Sequence, residues 1–287
     1  MASSDVGQRQ HAHITAAVDG SEGADTALRW AALEARRHGL ALRVAYAWLP
    51  LPGDGRAAGH EHARGLLAEA RARALSCVPD LDVAVVDHLD VAGAAVAAES
   101  ETAAMLVLGS RGRGGFRSLL LGSTGLTAAA VSRCPVVVVR GAPAEAEGPV
   151  VVGVDALRPA AEVLDFAFAE AALHPGSVLR VVYGWRPEAW SPDGAGPVFT
   201  AADVRAAAER GLAEATAGRA AEYPHVRVSR ELLPESAAGA LVHASTTAGL
   251  TVVGRRVTGT ALGLRLGPVA HAVLLHARGP VAVVPYR

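Results

Sequence analysis

Ala104-Met-Leu-Val-Leu-Gly109-Ser-Arg-Gly112-Arg-Gly-Gly-Phe-Arg-Ser-Leu-Leu-Leu-Gly122-Ser123-Thr124 passes from an apolar run into a glycine-rich loop and then into an alanine-rich segment. The spacing predicts a buried strand, a loop and a helix start. Glycines let backbone N–H groups approach a ligand with no side chain in the way. The first turn of a helix adds unpaired N–H groups and a partial positive charge. In that order they form a cradle suited to phosphate.

Working outward, the same kinds of element alternate on either side. Upstream, His13-Ile-Thr-Ala-Ala-Val-Asp19-Gly20 reads as an apolar strand ending in aspartate. A helix is predicted next, with Asp25 able to cap its start and Gly39 able to end it. A strand follows at Leu42 to Ala47, a helix at Glu61 to Cys77, a strand at Val83 to Asp87 and a helix at Ala92 to Ser100. Downstream of the loop come a helix from Ser123 to Ser132 and a strand at Pro135 to Val139. Continuously apolar strands alternating with helices predict a parallel sheet covered on both faces.

The pattern is written twice. Asp19 recurs as Asp155, Arg43-Val-Ala-Tyr-Ala-Trp48 as Arg180-Val-Val-Tyr-Gly-Trp185, Val107-Leu-Gly109 as Val252-Val-Gly254, and Cys134-Pro-Val-Val-Val-Val139 as Gly279-Pro-Val-Ala-Val-Val284. The offset is 136 at the aspartates (155 − 19) and 145 at the glycines (254 − 109), which predicts an insertion of nine residues in the second copy, assigned to Arg186–Val198. Gly141 to Pro149 has a linker's composition. The predicted fold class is therefore α/β, as two tandem five-stranded, parallel-sheet, open units of Rossmann-like type spanning 10–141 and 148–287. In such sheets ligands lie beyond the carboxyl ends of the strands, where the winding reverses. Asp19 and Gly109 are predicted to stand there, the carboxylate positioned for ribose hydroxyls.

Composition narrows the chemistry. All 27 cations among Lys and Arg are arginine, which excludes a Walker-type lysine and a Schiff-base lysine. The net charge of −1 gives no global attraction to nucleic acid or an anionic membrane, and neither is expected as a partner. Cys77 and Cys134 form no redox or metal spacing, and no run is long enough for a membrane span, so a soluble, cytoplasmic protein is expected. His60-Glu-His62 and His11-Ala-His13 lack the accompanying cysteines or carboxylates of a metal site. Gly109 to Ala130 contains no acidic residue to act as a base or to hold a catalytic metal. Trp48 and Trp185 recur at equivalent places, which points to packing.

With these residues in hand, the chain resembles the universal stress protein family. The family motif Gly-x2-Gly-x9-Gly followed by Ser or Thr is matched by Gly109, Gly112, Gly122 and Ser123. Asp19 and the closing Ser132-Arg-Cys-Pro-Val-Val-Val fit the family's usual beginning and end, and the likeness covers essentially the whole chain as two copies. The resemblance implies ATP or AMP in each competent copy. Asp19 and Gly20 would lie near the nucleotide, Val44 and Ala45 near the base, and Gly109, Ser110, Arg111, Gly112, Gly122, Ser123 and Thr124 at the phosphates. Asp19 would be the candidate to hold any magnesium. It further implies pairing of the two units through their last strands, within one chain or between two, and a sensor or regulator in the stress response with an unidentified protein partner.

The second copy departs from that pattern. Gly254 and Gly267 remain beside Asp155, but Val257 replaces the middle glycine and Pro268 the serine. Proline is comfortable at a first helical position but removes a backbone donor and a hydroxyl. Valine also resists positive φ. A weaker or empty second site is expected, with Arg255 and Arg256 able to compensate partly. A slow Mg-dependent ATPase and a nucleotide-free interaction scaffold stand as alternatives. A relative of the ATP pyrophosphatases is more distant, since Asp19-Gly-Ser-Glu-Gly-Ala lacks their phosphate loop.

Overall fold

A computed structural model of the chain describes residues 13–50, 56–112, 121–141, 148–173, 176, 178–185, 200–257 and 266–287. The chain divides into two units, 1–145 and 146–287.

In the first unit, β1 (His13–Ala17), β2 (Ala41–Trp48), β3 (Val83–Leu89), β4 (Met105–Gly109) and β5 (Val136–Val139) alternate with α1 (Glu22–His38), α2 (Arg56–Cys77), α3 (Ala92–Glu99) and α4 (Ser123–Val131). The strands run in the order β3-β2-β1-β4-β5. All these pairings are parallel: Ala16 of β1 stands beside Val44 of β2 on one side and Val107 of β4 on the other. The winding therefore reverses between β1 and β4, the crevice in which open α/β sheets take ligands. Ile14, Leu42, Leu106 and Val137 are fully buried, as helices on both faces require.

The second unit repeats the plan. Its strands are β6 (Val150–Gly153), β7 (Val178–Gly184), β8 (Arg227–Leu233), β9 (Leu250–Arg256) and β10 (Val281–Tyr286), and its helices α5 (Ala161–Ala172), α6 (Ala201–Glu222), α7 (Ala237–Ala244) and α8 (Pro268–His276). The order β8-β7-β6-β9-β10 mirrors the first. The offset between equivalent elements is 137 at the second strands (178 − 41) and 145 at the following helices (201 − 56), so the extra residues enter between Gly184 and Ala201. Most of that span, 186–199, lies outside the described residues.

Two local expectations are corrected. α1 is capped by Ser21, whose Oγ accepts the Ala24 N–H, while Asp25 lies inside the first turn and bonds Arg73 of α2 at 2.9 Å. Serine, with its shorter reach back to the N3 donor, wins the cap and frees Asp25 to tie two helices. α2 also begins at Arg56 rather than Glu61, because Arg56 to His60 carry no apolar period for a sequence reading to detect. At the other end of α1, Gly39 stops the helix at φ 64° as predicted. No described helix is long and apolar enough to cross a membrane.

Gly39→Ala should lower stability by about 1–2 kcal/mol through backbone strain alone, since a methyl there meets nothing within 4 Å, and a urea midpoint measures it. Burial pushes the Cys134 thiol up to about 12, whereas Cys77 is only half-buried. A chromogenic disulfide at pH 8 should titrate one thiol in the native protein and two after unfolding.

Candidate functional site

Asp19 stands two residues beyond β1. Its Oδ1 accepts the Ser21 N–H at 3.0 Å and the Ser21 Oγ–H at 2.6 Å. Ser21 Oγ also reaches the Arg111 carbonyl at 3.3 Å, so one short turn joins β1, α1 and the loop after β4. A β-carbon at Gly112 would collide with Asp19 Oδ2, and one at Gly109 would stand 2.6 Å from the Gly23 backbone. The end of β4 thus packs backbone to backbone on the first turn of α1. Neither Gly109 nor Gly112 has positive φ; the positive-φ glycines among the described residues are Gly20, Gly39, Gly141 and Gly176. The need for glycine at 112 is steric, set by the carboxylate, which corrects the dihedral reasoning applied to Val257.

A cleft of about 170 Å³ opens over this switch point. At its β4 end lie Asp19, Gly109, Arg111, Gly112, Thr124 and Gly125. The N-cap of α4, Gly122, makes no side-chain cap, and the first intrahelical bond runs from Leu126 N–H to Gly122 O. The N–H groups of Ser123, Thr124 and Gly125 precede it, so the helix end carries donors and a partial positive charge. Arg140, directly after β5, has its guanidinium pulled down first by burial and then by the charge of Arg111. Arg111 in the cleft beside an uncapped helix end suits an anion.

The other end of the cleft lies across β2 and β3. Ala45, Tyr46 and Ala47 of β2 and Ala92, Ala95 and Val96 of α3 form apolar walls, with His88 and Glu99 among them. Glu99 is 5 % exposed. It accepts from Thr15 Oγ1 at 3.0 Å, meets His88 Nε2 at 2.9 Å and lies 3.6 Å from the Arg43 guanidinium. Outside this floor, Asp87 accepts from Trp48 Nε1 at 3.0 Å with His60 Nδ1 3.3 Å away. The Trp48 bond is the main cause of its lowered carboxyl pKa. His60 is thereby engaged in a rim cluster with Trp48.

The second unit has a larger cleft, about 370 Å³, differently furnished. Asp155 keeps the same turn, accepting the Leu157 N–H at 3.0 Å, and lines the cleft with Arg158 and Gly254. β9 runs on to Arg256, pairing Arg255 and Arg256 with Pro285 and Tyr286 of β10, and Val257 N–H bonds the Tyr286 carbonyl at 2.7 Å. The chain after Gly254 therefore continues along the sheet, where the chain after Gly109 turns over the aspartate. The Tyr286 ring covers Gly254, 2.8 Å from where a β-carbon would stand, with the Arg256 guanidinium 5.7 Å from the ring centre. Burial pulls the Arg255 guanidinium down, and the side chain is only 8 % exposed.

Of the residues singled out in the sequence, Asp19, Ala45, Gly109, Arg111, Gly112 and Thr124 line the first cleft together. Gly20, Val44, Ser110, Gly122 and Ser123 do not: Val44 is fully buried, and Ser110 is 8 % exposed with its carbonyl accepting the Gly122 N–H. Asp155 and Gly254 line the second cleft and Gly267 does not. Arg113 to Leu120 lie outside the described residues. Sequence reasoning missed His88 and Glu99, which sit on β3 and α3, away from any glycine signal.

The fold and cleft define an open α/β protein of the ligand-binding type, in tandem. The sequence matches the universal stress protein family over residues 11–140 and again over 148–285. The chain belongs to that family. It is 32% identical to the universal stress protein Rv2005c of Mycobacterium tuberculosis over 292 aligned residues, covering 96% of this chain and 97% of the relative. A second relative, universal stress protein Rv2623 of the same organism, is 30% identical, with 94% and 95% covered. Among solved structures, a universal stress protein from Archaeoglobus fulgidus shares the fold at 18% identity with a TM-score of 0.72, covering 96% of this chain and 99% of that one.

Gly112→Ala should cost about 1–3 kcal/mol, because the methyl must displace the Asp19 carboxylate or the loop. Gly122→Ala should cost less than about 1 kcal/mol, since its methyl meets nothing nearer than 3.8 Å. Urea titration of both variants checks the contrast.

Proposed function

We propose that the chain is a nucleotide-dependent sensor or regulator of the stress response, binding ATP or AMP chiefly through its first unit. What carries this reading is the furnishing of the β4 end of the cleft: Arg111, Thr124 and the uncapped N-terminus of α4 lie along it with the Asp19 carboxylate. Phosphates belong at the Arg111 guanidinium and the helix donors, with Ser123 and Thr124 supplying hydroxyls. The carboxylate is placed to accept from ribose hydroxyls. The apolar walls over β2 and α3 suit a base. Any magnesium would be held through Asp19.

The second unit offers less to a phosphate. Pro268 opens α8 without an N–H, Val269 stands where the first unit has Thr124, and Tyr286 lies over Gly254. It keeps Asp155 and a cleft, but Arg255, Arg256 and Val257 stay beside β10. Boundaries at 10–141 and 148–287 are the units in which this division of labour is proposed.

Isothermal titration should find about one adenine nucleotide per chain. Ser123→Pro should weaken binding by about tenfold or more, the expected effect of losing a donor and a hydroxyl at a phosphate. Affinity unchanged in Ser123→Pro would remove the phosphate assignment. Phosphate release that needs Mg²⁺ and disappears in Asp19→Ala would replace the sensor by a slow ATPase. A protein that binds neither ATP nor AMP would be a scaffold.

A further inference from the structure

The β3 end of the first cleft sets His88 and Glu99 among apolar walls, and the second unit has no histidine–carboxylate pair at the equivalent positions. His88 stands beside Ala47 in the sheet register, and the equivalent place beside Gly184 is Leu233. Glu99 ends α3, and Ala244 ends α7. Thr15 stands beside Arg43, and Val151 beside Arg180. Arg180 instead spends its guanidinium on Glu231, at 2.7 Å and 2.9 Å. Burying a carboxylate is costly unless it is paired and hydrogen-bonded, and here three partners from β1, β2 and β3 hold Glu99. A polar knot at the floor of a cleft, present in one unit and replaced by Val, Leu and Ala in the other, is not demanded by the fold.

His88 and Glu99 lie on β3 and α3, away from Arg111 at the β4 end of the cleft. β3 is separated from β4 by β2 and β1, three strand spacings or about 14 Å. A ligand whose phosphates occupy the β4 end would bring its base to His88. Glu99 Oε1 fixes the ring, because Nε2 must carry the hydrogen it donates. In the neutral imidazole this leaves Nδ1 with a lone pair, an acceptor. Adenine offers the exocyclic N6 amine, a donor, on its Watson–Crick edge. Hypoxanthine and guanine offer a carbonyl oxygen there, acceptor against acceptor.

We propose that His88, its tautomer set by Glu99, makes the first unit selective for adenine by accepting from the N6 amine, while Thr15 and Arg43 hold Glu99 in position. His88 is thus a specificity-determining residue and Glu99 a positioning residue. The inference rests on the nucleotide reading above. It also assigns the second unit a base end that cannot distinguish an amine from a carbonyl.

ATP and ITP, which differ only at that edge, test it by isothermal titration at pH 8. The parent should bind ATP about tenfold tighter than ITP, the worth of one good hydrogen bond over an acceptor clash. His88→Leu should weaken ATP and leave ITP nearly unchanged, bringing the two within about twofold. His88→Gln, whose amide can turn either face, should bind both. Because His88→Leu removes a partner of buried Glu99, the triple variant Thr15→Val, His88→Leu, Glu99→Ala carries at these three positions the residues that the second unit folds with, and it should give the same loss of preference. Equal affinity for ATP and ITP in the parent, or a preference that survives in the triple variant, overturns the proposal while leaving nucleotide binding intact. If neither nucleotide binds the parent, the nucleotide reading falls and this one with it.

Discussion

The carboxylate of Asp19 holds three segments of chain in one place. Through Ser21 it shapes the turn out of β1, and the same serine caps α1 and touches the loop after β4. Its second oxygen fills the space that a side chain at 112 would take. Each of these contacts is modest in isolation, about 1 kcal/mol for a neutral hydrogen bond and about 1.5–3 kcal/mol for one to a charged group. Their importance is geometric: they fix the mouth of the cleft from elements nearly a hundred residues apart in sequence, with Ser21 and Arg111 separated by 90 positions. The arginines, the helix end and the floor at Glu99 all take their positions relative to that mouth.

The sheet was legible because its signal is local and repeated. Continuous Val, Leu and Ala runs mark strands buried on both faces, and the duplicated order made each assignment support its partner. The cleft end at β4 was legible for a similar reason, since glycines and the following helix form one contiguous word. What the sequence concealed was the reason for individual residues. Gly112 suggests a special dihedral angle, yet it answers to a carboxylate 93 positions away (112 − 19). Asp25 looks like a cap, yet Ser21 outcompetes it. His88 and Glu99 carry no pattern, because their relation exists only once β3 and α3 are folded against each other.

The two units show how one frame can keep its sheet while changing its chemistry. Strand order and parallel register are shared, and so is the aspartate turn. The divergence is concentrated where the backbone leaves the sheet. After Gly109 the chain turns over Asp19; after Gly254 it adds two more residues to the ladder with β10. Extending a strand gains backbone hydrogen bonds, but it commits Arg255 and Arg256 to the ladder instead of a turn at the aspartate. The floor diverges too, from a carboxylate knot to Val151, Leu233 and Ala244. Both ends of the second cleft have thus lost polar partners, although the cleft itself is larger.

The pairing of β1 with β4 also orders the assembly of the first unit. β1 and β2 are joined by a single helix, but Ile14 and Met105 pair across 91 positions of chain (105 − 14). Closing so long a loop is slow, and parallel pairings of this kind dominate folding times. The seam between β1 and β4 therefore closes the longest stretch of chain among the strand pairings of the first unit, and the cleft lies directly above it. A ligand bound as proposed would recognise only the completed unit, so binding would withdraw chains from the incompletely sealed population. Occupancy of the cleft would then measure two quantities together, the supply of ligand and the fraction of the chain that has finished folding.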